Sequence, residues 1–196
     1  NNHNAFLSMM EGALTGKTGF TGEAGYCYVG AVRQGDRTLI VALLACGWPN
    51  NKNYKWADTK TLVQYGLDQY GYCNYWEDAM QDQDIRILEA GKKRTVKDAP
   101  AKDGNLYQDG TVNTFLNIDD QDREKRILMK KTEAIQVQIE EKQEITAPIE
   151  SGDILGTVTI LLNGETLDEK PIVSGESIQK KNLLWIYRQL WKSYAL

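Results

Sequence analysis

A chain of 196 residues with 41% apolar and 26% charged side chains is long enough for one large domain or two small ones, and its composition is that of an ordinary globular protein. Its formal net charge of -4 argues against a nucleic-acid binder, which normally carries a basic excess. One histidine, His3, and three scattered cysteines, Cys27, Cys46 and Cys73, offer no C-x-x-C or H-E-x-x-H spacing, so no zinc site, disulfide framework or cofactor is expected.

The chain starts "NNHNAFLSMMEGA", without an initiator Met or a signal peptide, which reads as the interior of something longer. No apolar run reaches transmembrane length. Next comes "EGALTGKTGFTGEAGYCYVGAV", where five glycines crowd around one Lys-Thr-Gly triplet. Glycines at Gly16 and Gly19 would let another backbone approach closely. Lys17 would then stand beside an open strand edge to which an extended peptide could add. Thr18 and Thr21 bring hydroxyls able to bond a carboxylate, an arrangement suited to a peptide with a free C-terminus. A bare K-T-G recurs by chance, and an exposed lysine on a Gly-rich hairpin is the bland alternative.

Tyr26 to Val32 and Thr38 to Cys46 read as strands joined by a tight turn at Gly35-Asp36. The second is almost wholly apolar, which predicts burial on both faces. By hairpin register Cys27 and Cys46 would be neighbours on one face, two buried thiols. After the polar loop "WPNNKNYK", Leu62, Val63, Gly66, Leu67 and Tyr70 predict a helix from about Ala57, capped by Asp58.

Past Trp76 the texture changes. "EDAMQDQD" reads as a polar connector, followed by short alternating segments (Ile85 to Leu88, Ile127 to Met129, Ala134 to Ile139) with turns at Gly91, Gly104 and Gly110. Thr157 to Leu162 and Thr166 to Val173 flank Asn163-Gly164, a strong hairpin signal. This half predicts a small all-β sandwich. From Ser177 to Leu196 there is no acidic residue. On a helix begun by Ser177, Leu183, Ile186, Tyr187, Leu190 and Tyr194 share one face, with Lys181, Arg188 and Lys192 on another. That pattern suits an interfacial membrane helix, or one packed on the β module.

K-T-G is one of three motifs of penicillin-binding proteins and serine β-lactamases, beside S-x-x-K and S-D-N. The longer string "GKTGFTGEAGYCYVGAVRQGDRTLIVALLACGWP...KWADTKTLVQYG", with "APIESGDILGTVTILLNGETLDEKPIVS" further on, resembles the low-molecular-mass penicillin-binding proteins, the D-alanyl-D-alanine carboxypeptidases of serine peptidase family S11. The resemblance implies an α+β protein. Residues 1–76 would be the rear part of a transpeptidase-like catalytic domain, antiparallel strands plus a terminal helix. Residues 77–176 would be the β-rich domain that follows it, and 177–196 the amphipathic helix.

It also implies roles. Lys17, Thr18 and Gly19 match the third motif, whose Lys and Thr hold the substrate's terminal carboxylate or its β-lactam equivalent, with Thr21 close by. The backbone N–H of Phe20 would complete the oxyanion hole. A basic residue ahead of the terminal helix meets the carboxylate in some members, which makes Lys55 a candidate, with Lys52 behind it. The substrate would be the peptidoglycan stem peptide, and the place the outer face of the cytoplasmic membrane. No metal enters.

The nucleophile is the departure. No S-x-x-K precedes Lys17, since Ser8 is followed by Met-Met-Glu. Ser177-Ile-Gln-Lys180 lies in the wrong order, as does "YCN" at Tyr72 to Asn74. The missing N-terminal part of the catalytic domain is therefore an expected partner. The alternative is a non-catalytic binding or scaffolding module of the cell envelope.

Overall fold

The computed structural model describes residues 4–194; His3, Ala195 and Leu196 lie outside the described residues. The fold is α+β with antiparallel sheets. The chain divides into two compact units, one running to Gly71 and including Met129–Thr132, the other comprising Tyr72–Leu128 and Glu133–Leu196.

In the first unit a short helix α1 (Phe6–Met9) leads into strands β1 (Ala13–Thr21), β2 (Gly25–Gln34) and β3 (Arg37–Leu43), which form a three-stranded sheet in that order. Gly35, at φ 60, makes the predicted β2–β3 turn. Helix α2 (Tyr54–Gln69) then lies on one face of the sheet. It begins three residues before the predicted start, so Asp58 sits inside it and caps nothing; its carboxylate accepts the Cys46 thiol at 2.9 Å. At the other end the Arg37 guanidinium donates to the carbonyls of Leu67 and Tyr70 at 2.6 and 2.7 Å, a cation on the negative end of the helix.

Trp56, Val63 and Leu67 of α2 close the core over Phe6, Tyr28, Val32 and Val41. The Tyr28 ring lies edge-on to Trp56, centroids 4.9 Å apart. This ring, rather than a close backbone approach, explains Gly16 and Gly30. A Cβ on Gly16 would stand 2.3 Å from the Tyr28 hydroxyl, and one on Gly30 would stand 2.5 Å from it. Because Tyr28 is wholly buried and held between Phe6 and Trp56, it has nowhere to retreat. Gly16→Ala is expected to destabilise this unit by about 1–3 kcal/mol, measured by denaturant unfolding.

The prediction that the apolar strand is buried on both faces fails. Val41 is buried, but its neighbour Ile40 is 74% exposed and Leu44 is 80% exposed. One helix covers one face, and the other has no covering element among the described residues. Cys27 and Cys46 are free thiols, as expected, but they are half-buried rather than buried.

The second unit is a five-stranded antiparallel sheet in the order β5-β6-β10-β9-β8, built from β5 (Lys92–Pro100), β6 (Asp109–Leu116), β8 (Ile135–Glu141), β9 (Ile154–Leu162) and β10 (Glu165–Ser174). Two short strands, β4 (Tyr70–Cys73) and β7 (Ile127–Lys130), pair separately. Asn163 and Gly164, both at positive φ, make the predicted β9–β10 turn. The sheet wraps until its edge strands meet. Lys92 and Arg94 of β5 ion-pair with Glu141 of β8 at 2.5 and 2.9 Å, and Lys97 hydrogen-bonds with both Ile145 and Ala147.

Two expected non-helical segments are helices. The start of the connector, Glu77 to Ala79, lies in α3 (Tyr75–Ala79), whose Asn74 cap accepts the Glu77 N–H. Ile85 to Leu88 lies in α4 (Gln83–Ala90), capped by the Asp82 carboxylate. Ile85 and Leu88 are three apart, so on a helix both turn inward, and both are fully buried. Gly110 is no turn either: it lies in β6, where a Cβ would meet the Pro100 carbonyl at 2.5 Å. A four-residue helix α5 (Asp120–Arg123) precedes β7.

The last helix, α6 (Leu183–Tyr194), starts six residues after Ser177, and its cap is Asn182, whose side chain accepts the Trp185 N–H at 2.8 Å. Ser177 instead accepts the Ser151 N–H. Trp185, Ile186 and Gln189 make the half-buried stripe. Leu183, Leu184, Tyr187, Leu190, Trp191 and Tyr194 are exposed. Among the described residues no helix is long and apolar enough to cross a membrane.

Candidate functional site

β1 is an edge strand, bonded on one side only by β2. Its register sets Lys17 opposite Val29, Thr18 opposite Tyr28, Gly19 opposite Cys27 and Phe20 opposite Tyr26. Side chains alternate along a strand, so Thr18 and Phe20 share the α2 face with Tyr26 and the buried Tyr28. Lys17 lies on the opposite, open face beside Val29. Its ammonium donates to the Thr18 carbonyl at 3.0 Å and is otherwise exposed.

On the α2 face a cavity of about 190 Å³ is lined by Thr18, Gly19, Phe20, Tyr26, Lys55 and Trp56. Four of the residues singled out in the sequence thus meet: Thr18, Gly19, Phe20 and, from the start of the helix, Lys55. Gly19 faces open space, with nothing within 4 Å of where a Cβ would stand. Lys17 is brought beside this cavity along the chain but does not line it. Thr21 is outside it, with its hydroxyl oxygen accepting the Ala24 N–H at 3.0 Å to close the β1–β2 turn. Lys52, the second basic candidate, contributes its backbone carbonyl, which accepts the Lys55 ammonium at 2.5 Å.

Lys55 is only 6% exposed. Its ammonium stands 4.2 Å from the centroid of the Tyr26 ring and 4.7 Å from that of Trp56, held by cation–π attraction from both. Burial pulls its pKa below the usual lysine value, and nearby Lys52 acts in the same direction. The Cys46 thiol nearby is pushed up to about 11, by burial first and then by the Asp58 carboxylate that accepts its hydrogen. A buried ammonium with one donor committed to a carbonyl still has two N–H bonds to offer. With the Thr18 hydroxyl and an unpaired strand edge, that is a setting for an anionic, extended ligand.

Tyr26 and Trp56 were not anticipated. The signal was present, since Tyr26 pairs with Phe20 across the hairpin and Trp56 adjoins Lys55, but neither neighbour is visible until the register is known. Ser8, the serine preceding Lys17, spends its hydroxyl on the Ala5 carbonyl at 2.9 Å within α1.

Residues 121–180 match the model of the family described as penicillin-binding protein 5, C-terminal domain. Over 183 residues the chain is 25% identical to the D-alanyl-D-alanine carboxypeptidase DacF of Bacillus subtilis (strain 168), covering 93% of this chain and 41% of that protein. It therefore spans about two fifths of the length of the curated relative it matches. Among solved structures it aligns with the D-alanyl-D-alanine carboxypeptidase DacD from Francisella tularensis at TM-score 0.48 and 23% identity, over 92% of this chain and 40% of that one. It also aligns with penicillin-binding protein 5 from Haemophilus influenzae at TM-score 0.34 and 16% identity, over 84% and 42%. The chain is similar to a D-alanyl-D-alanine carboxypeptidase over about two fifths of that protein's length, and its residues 121–180 match the family model of the penicillin-binding protein 5 C-terminal domain.

Proposed function

We propose that this chain is the rear of a serine-type D-Ala-D-Ala carboxypeptidase. The observation that carries the reading is the convergence of Thr18, Gly19 and Phe20 with the buried Lys55 on one cavity beside an open strand edge. The stem peptide of peptidoglycan lies along β1, and Lys17, Thr18, Thr21 and Lys55 attract its terminal carboxylate from the two sides of the strand. A serine hydroxyl supplied from outside this chain attacks the penultimate carbonyl and loses its proton to a neighbouring base. The C–O bond forms as the carbonyl electrons move to oxygen, where the Phe20 N–H stabilises the oxyanion. Collapse expels the terminal D-Ala amine, which takes a proton, and water hydrolyses the resulting ester. A β-lactam acylates the same serine.

The face bearing Lys17, with Val29 49% exposed beside Ile40, is the surface we assign to the N-terminal part of the catalytic domain. Exposed apolar side chains clustered on one face mark an interaction surface. The second reading is a non-catalytic binding or scaffolding module of the cell envelope.

The test is release of D-alanine from an acyl-D-Ala-D-Ala peptide by the full-length polypeptide carrying this chain. Turnover abolished by penicillin is expected; a folded preparation without turnover supports the module reading.

Localisation at the outer face of the cytoplasmic membrane belongs to the same reading. Helix α6 packs through Trp185, Ile186 and Gln189 and leaves an exposed arc of Leu183, Leu184, Tyr187, Leu190, Trp191 and Tyr194, flanked by exposed Arg188 and Lys192. An apolar, aromatic arc edged by cations suits an anionic lipid surface. Co-sedimentation with anionic vesicles is expected for this chain and not for one ending at Gly175. Equal binding by both would leave α6 a structural element.

A further inference from the structure

We propose that Trp48 is a positioning residue for the β1 strand, a latch that holds the turn after Phe20 and so fixes the aim of the Phe20 N–H; the proposal rests on the reading of β1 as the substrate strand. Trp48 follows β3 in the polar loop and is half-exposed, so it is not a core residue. Its indole N–H donates to the Gly22 carbonyl at 3.0 Å, reaching back across the sheet to the turn between β1 and β2. Its ring also lies on Gly25 at the far side of that turn, where a Cβ would stand 3.2 Å from the indole and 2.9 Å from the Gly47 carbonyl.

The corner carrying Trp48 is itself fixed from both sides. The Gly47 carbonyl accepts the Tyr26 N–H at 2.9 Å, and the Cys46 N–H donates to the Tyr26 carbonyl at 2.7 Å. A 3-10 turn at Pro49–Asn51 closes on the other side, with the Asn51 N–H donating to the Trp48 carbonyl at 2.7 Å. Gly47 adopts φ 91, and a Cβ there would meet the Asn51 carbonyl at 2.6 Å, so only glycine fits this bend. The turn being held has its own ties, the Ala24 N–H donating to the Thr21 hydroxyl oxygen at 3.0 Å and the Cys27 thiol reaching the Ala24 carbonyl at a long 3.9 Å. Phe20 and Thr21 pair with the Tyr26 and Gly25 that this corner grips.

An oxyanion donor works by being in place before charge develops, with no reorganisation at the moment of reaction. Loss of the latch should therefore slow acylation more than it weakens initial binding. Two variants separate donor from ring. Trp48→Phe keeps a ring and removes the N–H, while Trp48→His keeps an N–H at the same bond separation from Cβ and removes the fused six-membered ring. In the complete enzyme, Trp48→Phe is expected to slow penicillin acylation about fivefold with the non-covalent dissociation constant changed less than twofold. Trp48→His is expected to stay within twofold of the native rate. In this chain, Trp48→Phe should speed amide exchange at Gly22 to Ala24 without changing the unfolding midpoint.

Equal acylation by Trp48→Phe and the native enzyme, beside a strong loss in Lys17→Ala, overturns the latch and leaves the substrate-strand reading standing. A native rate in Lys17→Ala overturns both. A loss in both Trp48 variants accompanied by a lowered unfolding midpoint assigns Trp48 to folding and also overturns the proposal.

Discussion

Replacing Lys17 by alanine in the complete enzyme is expected to slow acylation by penicillin and release of D-Ala by about one to two decades. That corresponds to roughly 1.5–3 kcal/mol, the worth of one charge-assisted hydrogen bond. The Lys17 ammonium is exposed here and donates to the Thr18 carbonyl, so its removal leaves no hole in a core. Among the described residues no element covers its face of the sheet, and the effect should therefore appear only where the N-terminal part of the domain covers that face and excludes water. In this chain alone, Lys17→Ala should leave the unfolding free energy within about 0.5 kcal/mol of native. A native acylation rate in the complete enzyme would remove Lys17 from the site.

The second large effect concerns Asp168 in β10. Its carboxylate accepts the Tyr75 hydroxyl at 3.1 Å and the Trp76 indole N–H at 3.0 Å, and pairs with the Lys125 ammonium at 3.3 Å. Its other oxygen accepts the Glu169 N–H. The group thus pins α3 to the sheet, above a Trp76 that is fully buried. Asp168→Ala leaves two buried donors unpaired and is expected to cost about 3 kcal/mol in the second unit, read by denaturant unfolding.

The sign of the pH dependence follows. Burial alone would raise the Asp168 pKa, but the hydrogen bonds from Trp76, the Glu169 backbone, Tyr75 and Lys125 bring it below the usual carboxylate value. The carboxylate's contribution is therefore complete above the unfolded value of about 4 and is lost as pH falls through the lowered folded value. Tyr75, facing this charge, is pushed up to about 12 by burial and by Asp168 itself, so it stays a donor at neutral pH. Asp168→Asn should flatten the loss of stability below pH 4. An unchanged acid transition in that variant would assign the loss to other carboxylates, Asp122 first, which its Lys125 and Lys170 partners hold at about 2.

Much of this was legible before any coordinates. Hairpins announce themselves through residues that tolerate positive φ, which is why Gly35-Asp36 and Asn163-Gly164 placed four strands correctly. The K-T-G strand and the helix after the polar loop were likewise readable in order, but Lys55, read as the end of that loop, lies in the first turn of the helix. Short apolar runs are the weak point. Ile85 to Leu88 fits both an alternating strand and one turn of helix, and only the Asp82 cap distinguishes them. Burial was misjudged for the same reason that made β3 easy to find: an apolar string says that a partner is wanted, not that it is present. Ile40 and Leu44 are apolar and exposed. Within the site, Tyr26 and Trp56 depended on register and on the turn of α2, both long-range facts. Trp48 looked like loop because its function lies in a bond to a carbonyl 26 residues away.

The central claim is that this chain holds the substrate strand of a D-Ala-D-Ala carboxypeptidase and not its nucleophile. Intact and peptide mass spectrometry after incubation with penicillin tests it most directly, on this chain alone and on the full-length polypeptide. The account predicts no mass increase on this chain. It predicts one penicilloyl adduct on the full-length polypeptide, on a serine N-terminal to Asn1. An adduct on Ser8 or Ser177, or a full-length polypeptide that takes no adduct, would contradict it.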